Sequence, residues 1–179
     1  MTAELDLSER TRQKIQNKNG SALFVDRDGV LNFERQDYVK SVDELKIVSR
    51  ACEQVARIAE SFPYIFVVTN QSVVGRGIIS EDTLKEVNNA IEKEFFNRTG
   101  RRIDKIYYCP HKPEDLCNCR KPKTELFERA AKDYNLDLSR SVFIGDKDSD
   151  EEAAKRIGCG FIRIKTNTSE IIQEASVSV

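Results

Sequence analysis

The chain has 179 residues, enough for one domain around a single core. Hydrophobic residues make up 39% and charged residues 33%, and a net charge of −1 gives no field of one sign to recruit nucleic acid or an anionic membrane. No apolar run approaches the roughly 20 residues that span a bilayer, and the polar N-terminal stretch has no signal-peptide core, so the expected setting is the cytoplasm, where the five cysteines would be thiols or metal ligands rather than disulfides.

Residues 1–20 carry little apolar surface and read as a polar N-terminal extension before a single domain over residues 21–179. Leu23-Phe24-Val25 is a short buried strand that runs into Asp26-Arg27-Asp28-Gly29. The mixed stretch from Asn32 to Val48 shows no clean period and reads as an irregular flap. Ala51 to Phe62 is helical, stopped by Pro63, and Tyr64 to Val68 is a solid apolar strand ending on Thr69-Asn70-Gln71-Ser72. Ser80 caps a long helix whose stripe is Leu84, Val87, Ile91 and Phe95, and Gly100 stops it. Ile106 to Tyr108 is a third strand, followed by a loop rich in Cys, Pro and charge to Lys123. Leu126 to Tyr134 is helical, Val142 to Ile144 is a strand ending on Gly145-Asp146, a helix runs from about Ser149 to Gly158, and Phe161 to Ile164 is a fifth strand. The tail has a weak helical signal around Ile171 and Ile172.

Strands alternating with helices predict an α/β fold, and strands that are apolar on both faces predict a mainly parallel sheet covered by helices on both sides. Ligands of such folds lie beyond the carboxyl ends of the strands. Those ends carry Asp26 and Asp28, Thr69, Cys109 leading on to Lys121, and Asp146. In extended backbone Asp26 and Asp28 point the same way, and two close carboxylates repel unless a cation sits near or one holds a proton. For a phosphomonoester, Asp26 would be the attacking nucleophile and Asp28 the acid and base that serves the leaving alcohol and then water. Magnesium suits the hard oxygens of Asp26 and Asp146, while Thr69 and Lys121 would take up charge on the phosphoryl oxygens. Taken singly, Asp-Gly also marks a turn, and Gly145-Asp146 with Asp150 also fits a loop and helix start.

Cys109, His111, Cys117 and Cys119 place three of the five cysteines and the single histidine within eleven residues. Three thiolates and one imidazole are a full tetrahedral set for a structural zinc, which would stand in for a core this polar loop lacks. A disulfide or a cluster of free thiols is the alternative. Cys52 and Cys159 read as buried small hydrophobes.

The order of these groups carries a resemblance. Phe24-Val25-Asp26-Arg27-Asp28-Gly29-Val30-Leu31-Asn32, Val67-Val68-Thr69-Asn70-Gln71-Ser72, Arg120-Lys121-Pro122 and Gly145-Asp146-Lys147-Asp148-Ser149-Asp150 resemble the four motifs of the haloacid dehalogenase superfamily of phosphatases. The chain is most similar to the capless branch that contains heptose-1,7-bisphosphate 7-phosphatases and histidinol-phosphatases. The resemblance implies a Rossmann-like three-layer sandwich with no large cap domain and a zinc-binding loop. It implies Asp26 as nucleophile, Asp28 as proton donor and base, and magnesium held by Asp26, the backbone carbonyl of Asp28, and Asp146. It implies substrate contacts from Thr69, Asn70, Gln71, Ser72, Arg120, Lys121 and Lys147, with Asp150 orienting a lysine or the metal ligands. The zinc would fix the loop that aims Arg120 and Lys121. The expected partner is a small phosphorylated metabolite, with no nucleic acid, no membrane and a monomeric chain.

The short zinc loop resembles the histidinol enzymes, whereas Thr69 to Gly77 and Asn32 with Tyr38-Val39 resemble the heptose enzymes, with Val73 standing where those have glycine. A bisphosphate needs a second anion site, for which Arg76, Arg120, Lys121 and Lys147 are candidates. Histidinol phosphate, cationic at its far end, would favour Glu34 and Asp37. A non-catalytic zinc module would explain the cysteines but not the four strand-end groups.

Overall fold

The computed structural model describes residues 20–175, so the N-terminal extension over 1–20 lies outside the described residues apart from Gly20. The strands are β1 (Ala22–Val25), β2 (Tyr64–Asn70), β3 (Lys105–Cys109), β4 (Val142–Gly145), β5 (Gly160–Ile164) and β6 (Ile171–Ala175). The α-helices are α1 (Ser49–Ala59), α2 (Ser72–Gly75), α3 (Glu81–Thr99), α4 (Glu125–Tyr134) and α5 (Asp148–Ile157). The strands form one sheet in the order β3-β2-β1-β4-β5-β6, parallel throughout except for the last pair.

Side-chain alternation divides the sheet into two apolar faces. Leu23, Val25, Ile65, Val67 and Ile144 pack with Val55, Ile58, Val87, Ile91 and Phe95 from α1 and α3. Ala22, Phe24, Phe66, Val68 and Phe143 pack on the other side with Leu126, Phe127, Ala153 and Ala154 from α4 and α5. This is the expected three-layer sandwich, and no cap domain is inserted among the described residues. The second face is aromatic: Phe127 sits edge-on to both Phe24 and Phe143, with centroids 5.1 Å away in each case.

One local expectation is corrected. The signal around Ile171 and Ile172 is a strand, not a helix. A turn closed by Lys165 N–H donating to the Glu170 carbonyl at 2.8 Å folds the chain back, and β6 pairs antiparallel with β5, satisfying backbone groups that would otherwise face solvent on that edge. The residues Ser72 to Gly75, just past the end of β2, form the single turn α2. The flap from Asn32 to Val48 is irregular as expected, with one 3-10 turn at Val42–Glu44 and a lone bridge between Asn32 and Ile47.

From central β1 the chain winds outward through β2 and β3, then returns to the other side for β4 and β5. The order therefore reverses between β1 and β4, and a crevice opens beyond their carboxyl ends. Asp26, Asp28 and Asp146 emerge there, at the end of strands held in register by Val25 opposite Ile144.

Phe24 has no exposure and touches rings on two elements. Phe24→Ala is expected to cost about 3–5 kcal/mol of unfolding free energy, measured by urea denaturation, whereas exposed Phe96→Ala is expected to stay within about 0.5 kcal/mol.

Candidate active site

Lys121 is the hub of the crevice. Its side chain is 2% exposed, and its ammonium lies 2.8 Å from Asp26 Oδ1 and 2.7 Å from Asp150 Oδ1. Burial works to lower the lysine pKa, but the two carboxylates outweigh it and hold the group charged. Asp26 is itself buried, and desolvation, reinforced by Asp150 and Asp146, pushes its carboxyl up to about 7 despite Lys121. Asp146 is raised by burial as well.

Carboxylate oxygens of Asp26, Asp146 and Asp150 lie within 4.8 Å of one another. Lys121 pairs with Asp26 and Asp150 but not with Asp146, which leaves excess negative charge in the buried cluster. Asp146 Oδ2 accepts from the Thr166 hydroxyl at 2.8 Å, while its Oδ1 is buried without a hydrogen-bond partner. A hard oxygen set with an orphaned carboxylate oxygen and excess negative charge fits a divalent cation such as magnesium. Gly29 admits this arrangement: its φ is +91°, and a Cβ there would sit 2.3 Å from Asp146 Oδ2.

Asp28 stands apart from that cluster. Arg27 donates to both of its oxygens at 3.0 Å, Asn32 Nδ2 donates to Oδ1 at 2.9 Å, and Gln71 Nε2 donates to Oδ2 at 2.6 Å. Burial raises its pKa, yet Arg27, Asn32 and Gln71 together hold it below the usual carboxylate range. The repulsion expected between Asp26 and Asp28 is thus met by two separate cations, Lys121 and Arg27, each on its own carboxylate.

The residues after β2 act mainly on their neighbours. Gln71 Nε2 also donates to Thr69 Oγ1 at 2.8 Å. Asn70 exchanges two hydrogen bonds with the backbone of Lys121, Oδ1 from its N–H at 3.0 Å and Nδ2 to its carbonyl at 3.2 Å. Asp150 Oδ2 accepts from the N–H groups of Asp146 and Lys147 at the start of α5, at 3.2 and 3.1 Å. Lys147 is ion-paired to Glu34 of the flap; burial works against its charge, but Glu34, Asp26 and Asp146 outweigh it and raise its pKa.

Beside this crevice, Cys109, His111, Cys117 and Cys119 converge. The Sγ atoms lie 3.1 Å (Cys109 to Cys119), 3.5 Å (Cys109 to Cys117) and 3.6 Å (Cys117 to Cys119) apart, with His111 Nδ1 at 3.2 Å from Cys119. No disulfide forms among them. A tetrahedral zinc with bonds of about 2.3 Å to sulfur sets sulfurs about 3.8 Å apart; the sulfurs here are drawn somewhat closer, and the donor set is the one that ion takes. Cys52 and Cys159 are buried singly in the two apolar faces, as expected.

A cavity of about 740 Å³ is lined by Asp26, Asp28, Thr69, Asn70, Gln71, Ser72, Arg120, Lys121 and Lys147, together with Glu34, Arg35 and Tyr38 of the flap. Asp146 does not line the cavity, but its carboxylate lies within 4.8 Å of those of Asp26 and Asp150, which do. The sequence expectations did not include Arg27, Asn32, Asn88 and Thr166 as parts of the site. Asn88 left a signal, since it is a polar residue on the buried stripe of α3.

Comparison with known proteins gives the geometry a family. The family model described as HAD-hydrolase-like matches residues 118–176. D-glycero-beta-D-manno-heptose-1,7-bisphosphate 7-phosphatase from Pseudomonas aeruginosa is 38% identical over 146 residues, 82% of each chain. The histidine biosynthesis bifunctional protein HisB of Legionella pneumophila is 35% identical over 87% of this chain, which spans 45% of HisB. Among solved structures, D,D-heptose 1.7-bisphosphate phosphatase from B. bronchiseptica, complexed with magnesium and phosphate, superposes with a TM-score of 0.76 at 31% identity, covering 83% of each chain. With strand-end carboxylates, the Lys121 hub and these relatives in agreement, the chain belongs to the haloacid dehalogenase superfamily, in the branch of the heptose-1,7-bisphosphate phosphatases and HisB.

Proposed function

We propose that this chain is a magnesium-dependent phosphatase that works through an aspartyl-phosphate on Asp26, and that its substrate is D-glycero-D-manno-heptose 1,7-bisphosphate, hydrolysed at the 7-phosphate. Asp26, Asp146 and the Asp28 carbonyl would hold the magnesium, which draws charge off the phosphoryl oxygens when bound. A carboxylate oxygen of Asp26 attacks phosphorus while the bond to the sugar oxygen breaks, and Asp28 gives that oxygen its proton. In the second half-reaction Asp28 takes a proton from water, the water oxygen bonds to phosphorus, and Asp26 leaves as the carboxylate. Lys121 and Thr69 face the phosphoryl oxygens, and the pair of hydrogen bonds between Asn70 and the Lys121 backbone supports the aim of that lysine.

The observation that carries the substrate is the unpaired charge at the mouth. Among the described residues neither Arg76 nor Arg120 pairs with a carboxylate, while the flap acids are already taken, Glu34 by Lys147 and Asp37 by Arg35 and Lys40. The Ser72 hydroxyl, followed by the Arg76 and Arg120 guanidiniums, draws the Tyr38 phenol below its ordinary range against a desolvation that raises it, which marks a field suited to a second phosphate. The relatives named as heptose bisphosphate phosphatases support the same substrate. Histidinol phosphate is the second reading, favoured by the match to HisB. Five unoxidised cysteines suit a reducing cytoplasm, and the monomeric state is part of the reading.

Asp26→Asn is expected to lose phosphatase activity down to background with its thermal midpoint retained; activity in that variant would refute the nucleophile. Heptose 1,7-bisphosphate should exceed histidinol phosphate in kcat/KM by more than about ten-fold, about 1.4 kcal/mol, and the reverse order would transfer the assignment to the histidinol reaction. Elemental analysis should find about one zinc per chain, lost in Cys119→Ser together with a lowered thermal midpoint. A zinc-free preparation of full stability would remove the metal from the account.

A further inference from the structure

Between the two carboxylates of the β1 end lies Arg27, 1% exposed and the largest fully buried side chain of the described residues. Such a group needs partners on every donor face. It grips Asp28 with a fork, Nε to Oδ2 and Nη2 to Oδ1 at 3.0 Å each, and its remaining arm, Nη1, donates to Asn88 Oδ1 at 3.0 Å. Asn88 is 6% exposed, belongs to α3, and does not line the cavity. Its neighbours one turn away on the same helix, Leu84 and Ile91, are core residues. An amide in that stripe is costly unless it has a buried task.

We propose that Arg27 and Asn88 form a two-residue brace that positions the Asp28 carboxylate for proton transfer to the leaving oxygen. The guanidinium fixes the plane of the carboxylate because two parallel hydrogen bonds leave no rotation about χ2. Asn88 fixes the guanidinium in turn, anchoring it to a helix 61 residues away in sequence. Both Asp28 oxygens carry two donors, so its orientation is over-determined by three side chains, Arg27, Asn32 and Gln71. Neither member of the brace meets the magnesium cluster of Asp26, Asp146 and Asp150 in a hydrogen bond or ion pair among the described residues. This inference rests on the assignment of Asp28 as acid and base.

A brace on the acid has a kinetic signature that general support of the fold does not. Protonation matters most when the departing oxygen is basic, and little when it leaves readily as an anion. kcat/KM reports the half-reaction in which that oxygen leaves. The test measures kcat/KM at saturating magnesium for a series of aryl phosphates from phenyl to 2,4-dinitrophenyl phosphate. Asn88→Ala should lower kcat/KM about ten-fold or more for phenyl phosphate and less than about two-fold for the dinitrophenyl ester, steepening the leaving-group dependence. Asn88→Asp, which keeps an oxygen facing Nη1, should restore the shallow slope. Arg27→Lys, with one ammonium in place of the fork, should reproduce the steep slope in a protein whose folding is checked by thermal unfolding, and it serves as the deciding variant where Asn88→Ala does not fold. Equal losses across the series, or an Asp variant as damaged as Ala, would overturn the brace. Turnover by Asp26→Asn across the whole series would instead overturn the catalytic reading beneath it.

Discussion

The paired contact of the Lys121 ammonium with Asp26 and Asp150 is the interaction on which the rest of the crevice depends. It joins the end of β1, the loop after β3 and the first turn of α5, three segments distant in sequence. All three charges are buried, and removing the lysine from such a set costs about 3–5 kcal/mol because the two carboxylates are left uncompensated. The lysine is therefore useful in its place only if the loop that carries it is held as firmly as a strand end. That loop contains little apolar side chain with which to hold itself: Leu116, the large hydrophobe between Cys109 and Lys121, is 81% exposed.

The Cys–His cluster answers that need locally, and backbone pairing extends it to the site. The Cys109 carbonyl accepts from Gln71 N–H at 2.7 Å, and the Pro110 carbonyl accepts from Gly75 N–H at 2.9 Å. Gly75 is required for that approach, since a Cβ would lie 2.5 Å from the Pro110 oxygen. The short helix α2 is thus fastened to the first part of the cysteine loop, and Asn70 is fastened to its last part at Lys121. The end of β2 and the cysteine loop are thus joined into one hydrogen-bonded unit that carries both Thr69 and Lys121, the residues proposed to face the phosphoryl oxygens.

Much of this was legible in the chain. The apolar runs named the strands because a doubly covered sheet leaves no polar face to confuse the period. The strand ends named their own chemistry because Asp26, Thr69 and Asp146 each follow directly on a buried run. The Cys–His cluster was legible from spacing, since its four donors come from one loop. Contacts made across the fold were not. Asn88 reaches Arg27 over 61 residues, Thr166 reaches Asp146 over 20, and Glu34 reaches Lys147 over 113. The strand β6 was misread because Ile171 and Ile172 say only that the segment is apolar. Its form was decided by the free edge of β5, an influence that local propensity does not contain.

The same crevice sets its two neighbouring aspartates to different work. Asp26 sits in a desolvated cluster of carboxylates that raises its pKa to about 7 and leaves negative charge to be balanced by a cation. A cation that settles there lowers the cost of ionising Asp26 and places an electropositive centre beside the atom it would attack. Asp28, two residues on, has its charge met entirely by protein donors and has no share in that cluster. The cation-binding carboxylates and the hydrogen-bonded one are thereby kept apart. The separation follows from the tight turn at Gly29 and Leu31, whose N–H groups bond back to Asn32 and Arg27 carbonyls, bringing Asn32 against one oxygen of Asp28 while Arg27 spans both. A run of seven residues, Asp26 to Asn32, so contains both carboxylates proposed to react and several of the groups that tell them apart.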